Sequence, residues 1–280
     1  MTPLTDVAIF LTSLGAGMIG ALAGVGGGIL IVPALTVIFG VDLRLAIGAS
    51  IISVIATSSG AGAAYVRDEL TNLRVGMFLE LATTTGAVGG ALLAAIVAPE
   101  LLFGLFGFIL ILSAGQMLYR LGEELPPQRP AGRLEGWLRL GASYPDSHLG
   151  RRVSYEPRNL PSGFLAMGVA GLVSGLLGIG SGVLKVLAMD GVMRLPVKVS
   201  STTSNFMIGV TAAASAGVYI ARGDVSARIA APVALGVLAG AMIGSRLLVR
   251  LSSRTVRLIF LPVLLAVAAE MLARSVGLGL

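Results

Sequence analysis

The sequence predicts an all-α polytopic membrane protein made of two inverted repeats of about five transmembrane elements each, the first helix of each repeat broken by glycines and turned back. Three observations predict it. The 280 residues are 55% hydrophobic and only 12% charged, about half the charge of an ordinary soluble domain, and the mean hydropathy is +0.93. Apolar runs long enough to span a bilayer follow one another with short polar breaks. The chain also matches itself. The short alternating segments of a transmembrane β-barrel are absent from the sequence.

The self-match appears at a shift of 154 residues. Gly15–Arg120 then lies over Val169–Arg274 without a gap, with 24 of 106 positions identical, against about one in ten by chance in so Ala/Leu/Gly-rich a chain. The cluster Gly24 to Gly28 (GVGGG) falls on Gly178 to Gly182 (GIGSG). Ser50 falls on Ser204, Thr57 on Thr211, Tyr65 on Tyr219, and Gly86/Gly90 on Gly240/Gly244. The expected organisation is an N-terminal repeat over 1–121, a charged linker over 122–162 and a C-terminal repeat over 163–280.

Each half reads as four apolar segments: Leu4–Gly40, Arg44–Val66, Leu73–Ala98 and Leu101–Tyr119, then Pro161–Met193, Val197–Ala221, Val225–Leu251 and Thr255–Ala273. The last three of each set suit one span apiece. The first is too long for one helix and too short for two, and it contains the glycine cluster. Leu4–Leu22 would make a helix of ~28 Å and Ile29–Phe39 one of ~16 Å. The segment therefore reads as a helix, a glycine break and a short returning half-helix.

Charge placement supports the turn-back. With five elements per half and a cytoplasmic linker, Arg67, Arg74, Arg194, Lys198, Arg246, Arg250, Arg254 and Arg257 face inside, against Arg44, Arg222, Arg228 and Arg274 outside. A single crossing would reverse the second half and put most of these charges outside. An odd number of elements inverts the second copy, so both termini are expected outside and the linker inside. Inverted copies with a broken helix in each are the architecture of a secondary transporter.

The linker stretch Arg120–Leu160 holds seven Arg and five acids, with aromatics only at Trp137, Tyr144 and Tyr155. It is expected to be mobile or partly helical, with a short amphipathic helix over Gly132–Leu140. The net charge of +6 reads as membrane orientation, not nucleic-acid binding. Met1 to Asp6 lacks the positive start of a cleavable signal peptide. The absence of cysteine and the single histidine, His148, remove thiol chemistry, Cys-ligated metals and a His-rich metal site. No cofactor and no enzyme chemistry are expected. An embedded enzyme would need a clustered Ser/His or metal constellation, and a channel would build its pore by oligomeric symmetry. These are the alternatives.

A glycine break exposes backbone N–H groups at the positive end of the next helix, which suits an anion. Gly26, Gly27 and Gly28, with Gly180, Ser181 and Gly182, are therefore candidate substrate-binding residues. Close helix packing by small residues is the competing reading, and the preferred one for Gly86/Gly90 and Gly240/Gly244. Lys185 follows the second break where the first copy has Ile31. An intramembrane lysine is costly and would add its charge to the same anion, unless it snorkels or pairs with Asp190. Ser50, Ser204 and Asn205 are candidate neutral donors, against helix–helix hydrogen bonding as the alternative. Glu80 and Glu270 are candidates for a coupling proton if buried, although Glu80 equally suits neutralising Lys185.

The run Gly24 to Pro33 (GVGGGILIVP), followed by Ala46 to Ser50 (AIGAS), resembles the signature of the sulfite exporter TauE/SafE family, and the second copy resembles the family's C-terminal half. The resemblance covers nearly the whole chain outside the linker. It implies transport of sulfite, sulfoacetate or related organosulfonates, mostly in bacteria, and so a location in a bacterial inner membrane. The expected partners are the lipid bilayer, a small anion and a coupling proton or sodium ion. The second copy departs from the pattern at Ser181, at Leu187 in the place of Pro33, and at Lys185.

Overall fold

In the computed structural model the described residues are 3–23, 28–67, 71–119, 140–146, 151–180, 182–248 and 253–278. The first half comprises α1 (Pro3–Ala23), α2 (Gly28–Pro33) continuing as a π-helical turn (Ala34–Ile38), α3 (Leu43–Arg67), α4 (Leu73–Leu93) and α5 (Pro99–Tyr119). A hairpin follows, β1 (Ala142–Asp146) and β2 (Arg151–Tyr155). The second half comprises α6 (Leu160–Leu177), α7 (Gly182–Leu187) with its own π-turn (Ala188–Val192), α8 (Val197–Ala221), α9 (Ala227–Leu248) and α10 (Ser253–Ser275).

Among the described residues, four helices are long and apolar enough to cross a membrane, within Leu73–Leu93, Leu160–Leu177, Lys198–Ala221 and Ala227–Gly244. Leu4–Gly20, Leu43–Ser58 and Pro99–Gly115 are shorter apolar helices. Leu11, Leu81, Leu165 and Leu235 are exposed on the outside of the bundle, where a bilayer would solvate them. They are two pairs related by the repeat shift.

The break and return are visible in the second half. α6 ends at Gly178 in the left-handed region (φ 66°), and Gly180 is left-handed as well (φ 74°). Residues with a Cβ avoid that region. The chain then runs back. Arg158 N–H donates to Met193 O at 3.0 Å and Asn159 Nδ2 to Val192 O at 3.1 Å, so the end of the returning helix lies beside the start of α6. Both returning helices change to π geometry at equivalent residues, with Pro33 ahead of one turn and Leu187 ahead of the other. Proline is therefore not what widens them. π-turns of this kind recur at functional sites.

The packing pattern maps onto itself when the halves are exchanged. α1 packs on α9 as α6 packs on α4; α9 packs on α3 as α4 packs on α8; α3 meets α8, and α5 meets α10. The contacts repeat residue by residue. A Cβ at Gly86 would run into Gly168 O and one at Gly240 into Leu14 O; one at Gly171 would strike Thr83 O and one at Gly17 Val237 O. Those glycines let backbones touch, which is the packing role expected of Gly86, Gly90 and Gly240. Helix directions follow from the same contacts. Asn72 and Glu80 on α4 meet Thr203 and Thr211 on α8, so these two run parallel. Gly48 lies against Asp224 while Ser58 lies against Gly209, so the equivalent helices α3 and α8 run antiparallel. α5 and α10 are antiparallel too, with Gly104 against Ser275 and Gly107 against Leu272.

The linker differs from expectation. Its described part is an antiparallel hairpin, Ala142 paired with Tyr155 through Asp146 with Arg151, and it is docked. Tyr144, Val153 and Tyr155 are buried in a cluster with Val75, Leu79, Met167, Met189 and Met193. Alternation explains it: Tyr144 pairs with Val153, placing apolar side chains on one face. The expected Gly132–Leu140 helix lies outside the described residues except for Leu140, which is buried in that cluster.

Candidate functional site

Gly28 at the start of α2 and Gly178 at the end of α6 come together at Ser50 on α3. Its hydroxyl lies 2.8 Å from Gly178 O and 3.2 Å from Gly28 O, so one donor serves the backbone of both breaks. Ser204, the equivalent residue on α8, donates to Gly182 O at 3.1 Å. Both serines are buried. Their protons are committed to carbonyls, which gives them a holding role at the breaks. A Cβ at Gly28 would collide with Val54, and one at Gly182 with Ile208, so the breaks sit closely against α3 and α8.

A second polar group lies on the α4–α8 side. Lys185 has 0% exposure and Glu80 8%. Lys185 Nζ donates to Thr211 Oγ1, and Thr211 Oγ1 donates to Glu80 Oε1 at 2.6 Å. Thr84 Oγ1 donates to the same carboxylate oxygen at 3.0 Å. Glu80 Oε2 is buried and accepts no hydrogen bond among the described residues. Lys185 therefore points into the bundle instead of snorkelling, and it reaches Glu80 through one hydroxyl.

Asn205 is half-buried beside Ser204 on α8. Gly26, Gly27 and Ser181 lie outside the described residues. Glu270 stands apart from Glu80: it pairs with Arg274 at 2.9 Å, one turn along α10, and Arg274 also donates to Thr36 O at 3.5 Å. That is an ion pair at one end of the bundle.

Two residues that the sequence reading did not select hold the site. Thr211 is the bridge; its spacing of two helical turns from Ser204 places both on one face of α8, and that spacing was the available signal. Asn72 is the junction with the hairpin. Its Oδ1 caps α4 by accepting from Val75 N–H at 3.1 Å. Its Nδ2 donates to Leu140 O at 3.1 Å and to Tyr155 Oη at 3.0 Å, and its N–H donates to Thr203 Oγ1 at 3.0 Å. Burial pushes the Tyr155 phenol up to about 12, with the Asn72 hydrogen bond acting in the opposite direction.

A bundle of apolar helices in which the Gly28 start of α2 and the Gly178 end of α6 meet at Ser50, with charge buried on α7 and α4, has the form of a multi-pass membrane transporter. The chain belongs to the sulfite exporter TauE/SafE family, whose model matches residues 9–271. It is 26% identical over 280 residues to "Probable membrane transporter protein YunE" of Bacillus subtilis, covering 98% of this chain and 99% of that one. It is 25% identical over 265 residues to "Probable membrane transporter protein ORF9" of a Sinorhizobium species, covering 95% and 91%. "Probable membrane transporter protein YdhB" of Bacillus subtilis is 26% identical over 244 residues, covering 87% and 89%. No solved structure matches the chain at a significant level. The family is one of membrane transporters, not enzymes.

Proposed function

We propose that this protein is a secondary transporter that moves a small sulfur-containing anion, sulfite or an organosulfonate, by alternating access, with the anion held near the midplane between the two glycine breaks. The observation that carries the reading is the convergence of both breaks on Ser50, with the fully buried Lys185 on the helix that follows the second break. The amides of Gly180 and Gly182, those of Gly26, Gly27 and Ser181, the Asn205 amide and the Lys185 ammonium are the donors such an anion would meet. The family description supports the sulfur oxyanion. The antiparallel contacts between equivalent helices support inverted repeats, with an axis across the helices. In this reading the linker is cytoplasmic, both termini face outside and the membrane is the bacterial inner membrane.

The test is flux of labelled sulfite and organosulfonates in proteoliposomes, together with anion titration of the purified protein. Lys185→Met should weaken anion binding by ~1.5–3 kcal/mol, the size of a charge-assisted hydrogen bond, and Lys185→Arg should retain part of it. The single Met variant leaves the Glu80 carboxylate buried alone, which is destabilising. The charge-neutral pair Glu80→Gln with Lys185→Met provides the folded comparison. Wild-type affinity in that pair would remove Lys185 from the site.

A further inference from the structure

The buried chain Lys185–Thr211–Glu80 exists in one half only. The equivalent positions are Ile31, Thr57 and Ala234. Thr57 uses its hydroxyl on its own helix, lying 3.1 Å from Ser53 O and from Val54 O. The first half thus builds the same helix packing without charge at this level, so the pair is not what holds the bundle together. Two buried charges are also a poor source of stability compared with apolar side chains of similar volume.

The hydrogen-bond inventory shows what the chain can do. An ammonium only donates, and an ionised carboxylate only accepts. Thr211 accepts from Lys185, and its hydroxyl lies 2.6 Å from Glu80 Oε1 and 2.9 Å from Met207 O, so its one proton is shared between the carboxylate and its own helix. Thr84 donates to that same oxygen, while Oε2 is buried and has no hydrogen-bond partner among the described residues. A proton added at Oε2 cancels the carboxylate charge without breaking any of these three hydrogen bonds. Among the described residues, the elements packed around this position carry few other titratable groups: α6 has none, α8 has Lys198 and Tyr219 near its two ends, α7 and its π-turn add Asp190 beyond Lys185, α4 itself adds Arg74 at its exposed start, and the hairpin against α4 adds Tyr144 and Tyr155 on its buried face.

We propose that Glu80 binds the coupling proton at Oε2, and that this proton decides whether the Lys185 charge is neutralised inside the protein or offered to an anion. The second clause rests on the reading that the anion meets Lys185. With Glu80 ionised, the chain is internally balanced. With Glu80 protonated, one positive charge is unbalanced beside the second break, and a singly charged anion restores neutrality. Proton and anion then bind together and leave together, one of each, with no net charge moved.

The test has two arms in reconstituted full-length protein. The first titrates pH by infrared difference spectroscopy without substrate. A protonated-carboxyl band is expected that is lost in Glu80→Gln and shifted but retained in Glu80→Asp. The second measures affinity for methanesulfonate, whose charge does not change over the working pH range. Wild-type affinity should strengthen about tenfold or more as pH falls through the Glu80 transition, within the usual span of coupling between sites. It should be independent of pH in Glu80→Gln and dependent again in Glu80→Asp. A band that survives in Glu80→Gln, or pH-dependent affinity in that variant equal to wild type, overturns the proposal. A Glu80 band in a protein that binds and moves no sulfur anion would refute the substrate reading and still support the protonation site.

Discussion

The Ser50 hydroxyl lies 2.8 Å from Gly178 O, across 128 residues of sequence, so a helix of the first half holds the break of the second. The carbonyl belongs to a left-handed glycine at the end of α6, where the helix supplies no N–H for it. Ser50→Ala leaves that buried acceptor without its donor and should cost ~1–3 kcal/mol. Thermal unfolding in detergent would show the loss. An unchanged midpoint would mean that the breaks are held by packing alone.

The glycines of α4 separate packing from permissiveness. Gly86 meets the α6 backbone, whereas a Cβ at Gly89 would meet nothing within 4 Å. Gly86→Ala should therefore destabilise by at least ~1–3 kcal/mol through overpacking. Gly89→Ala should stabilise by up to ~1 kcal/mol through helix propensity. The same comparison predicts that Gly240→Ala behaves like Gly86→Ala, since it strikes the α1 backbone.

Sidedness can be read at equivalent helix starts. Leu73 begins α4 and Ala227 begins α9, and both are exposed. The chain has no native cysteine, so Leu73→Cys and Ala227→Cys give clean reporters. Inverted repeats require that a membrane-impermeant thiol reagent reach them from opposite sides. Labelling of both from one side would refute the inversion. Asn72 is unsuitable for this purpose, being a buried cap.

Hairpin docking should depend on alkaline pH. The Tyr155 phenol is pushed from its ordinary value of 10.0 up to about 12, chiefly by burial. A raised folded-state value means that the stabilisation is fully present below the unfolded value and is lost as pH rises through the folded one. The hairpin should therefore loosen between about pH 10 and 12, read by hydrogen exchange of the β1–β2 amides. Tyr155→Phe, which cannot ionise, should abolish that window, at the cost of one of the two partners of Asn72 Nδ2, Leu140 O remaining.

Much of this architecture was legible in the sequence because its signals are local. Hydrophobic runs, their lengths and the glycine clusters set the membrane class, the span positions and the break at Gly178, and the shift of 154 residues exposes the internal resemblance. The linker was read less well. Its mixed charge suggests a loose segment, yet Tyr144, Val153 and Tyr155 share one face and find a cover in Val75, Met189 and Met193. An alternation of five residues does not declare itself until a partner surface exists.

The sequence alone determined that this is a helical membrane protein whose two halves resemble one another, with a helix that breaks at Gly178 in the second, because helix length, hydrophobicity and glycine content act within a few turns of chain. It also marked Lys185 and Glu80 as costly charges. Only the tertiary structure decided that they share the Thr211 hydroxyl, that Glu80 Oε2 is left bare, and that Ser50 holds both breaks. The bonds to Thr211 span 26 and 131 residues. Contacts at that separation are set by how helices pack against one another, through glycine notches and shared faces, and hydrophobic periodicity carries no record of which helix a given face will meet.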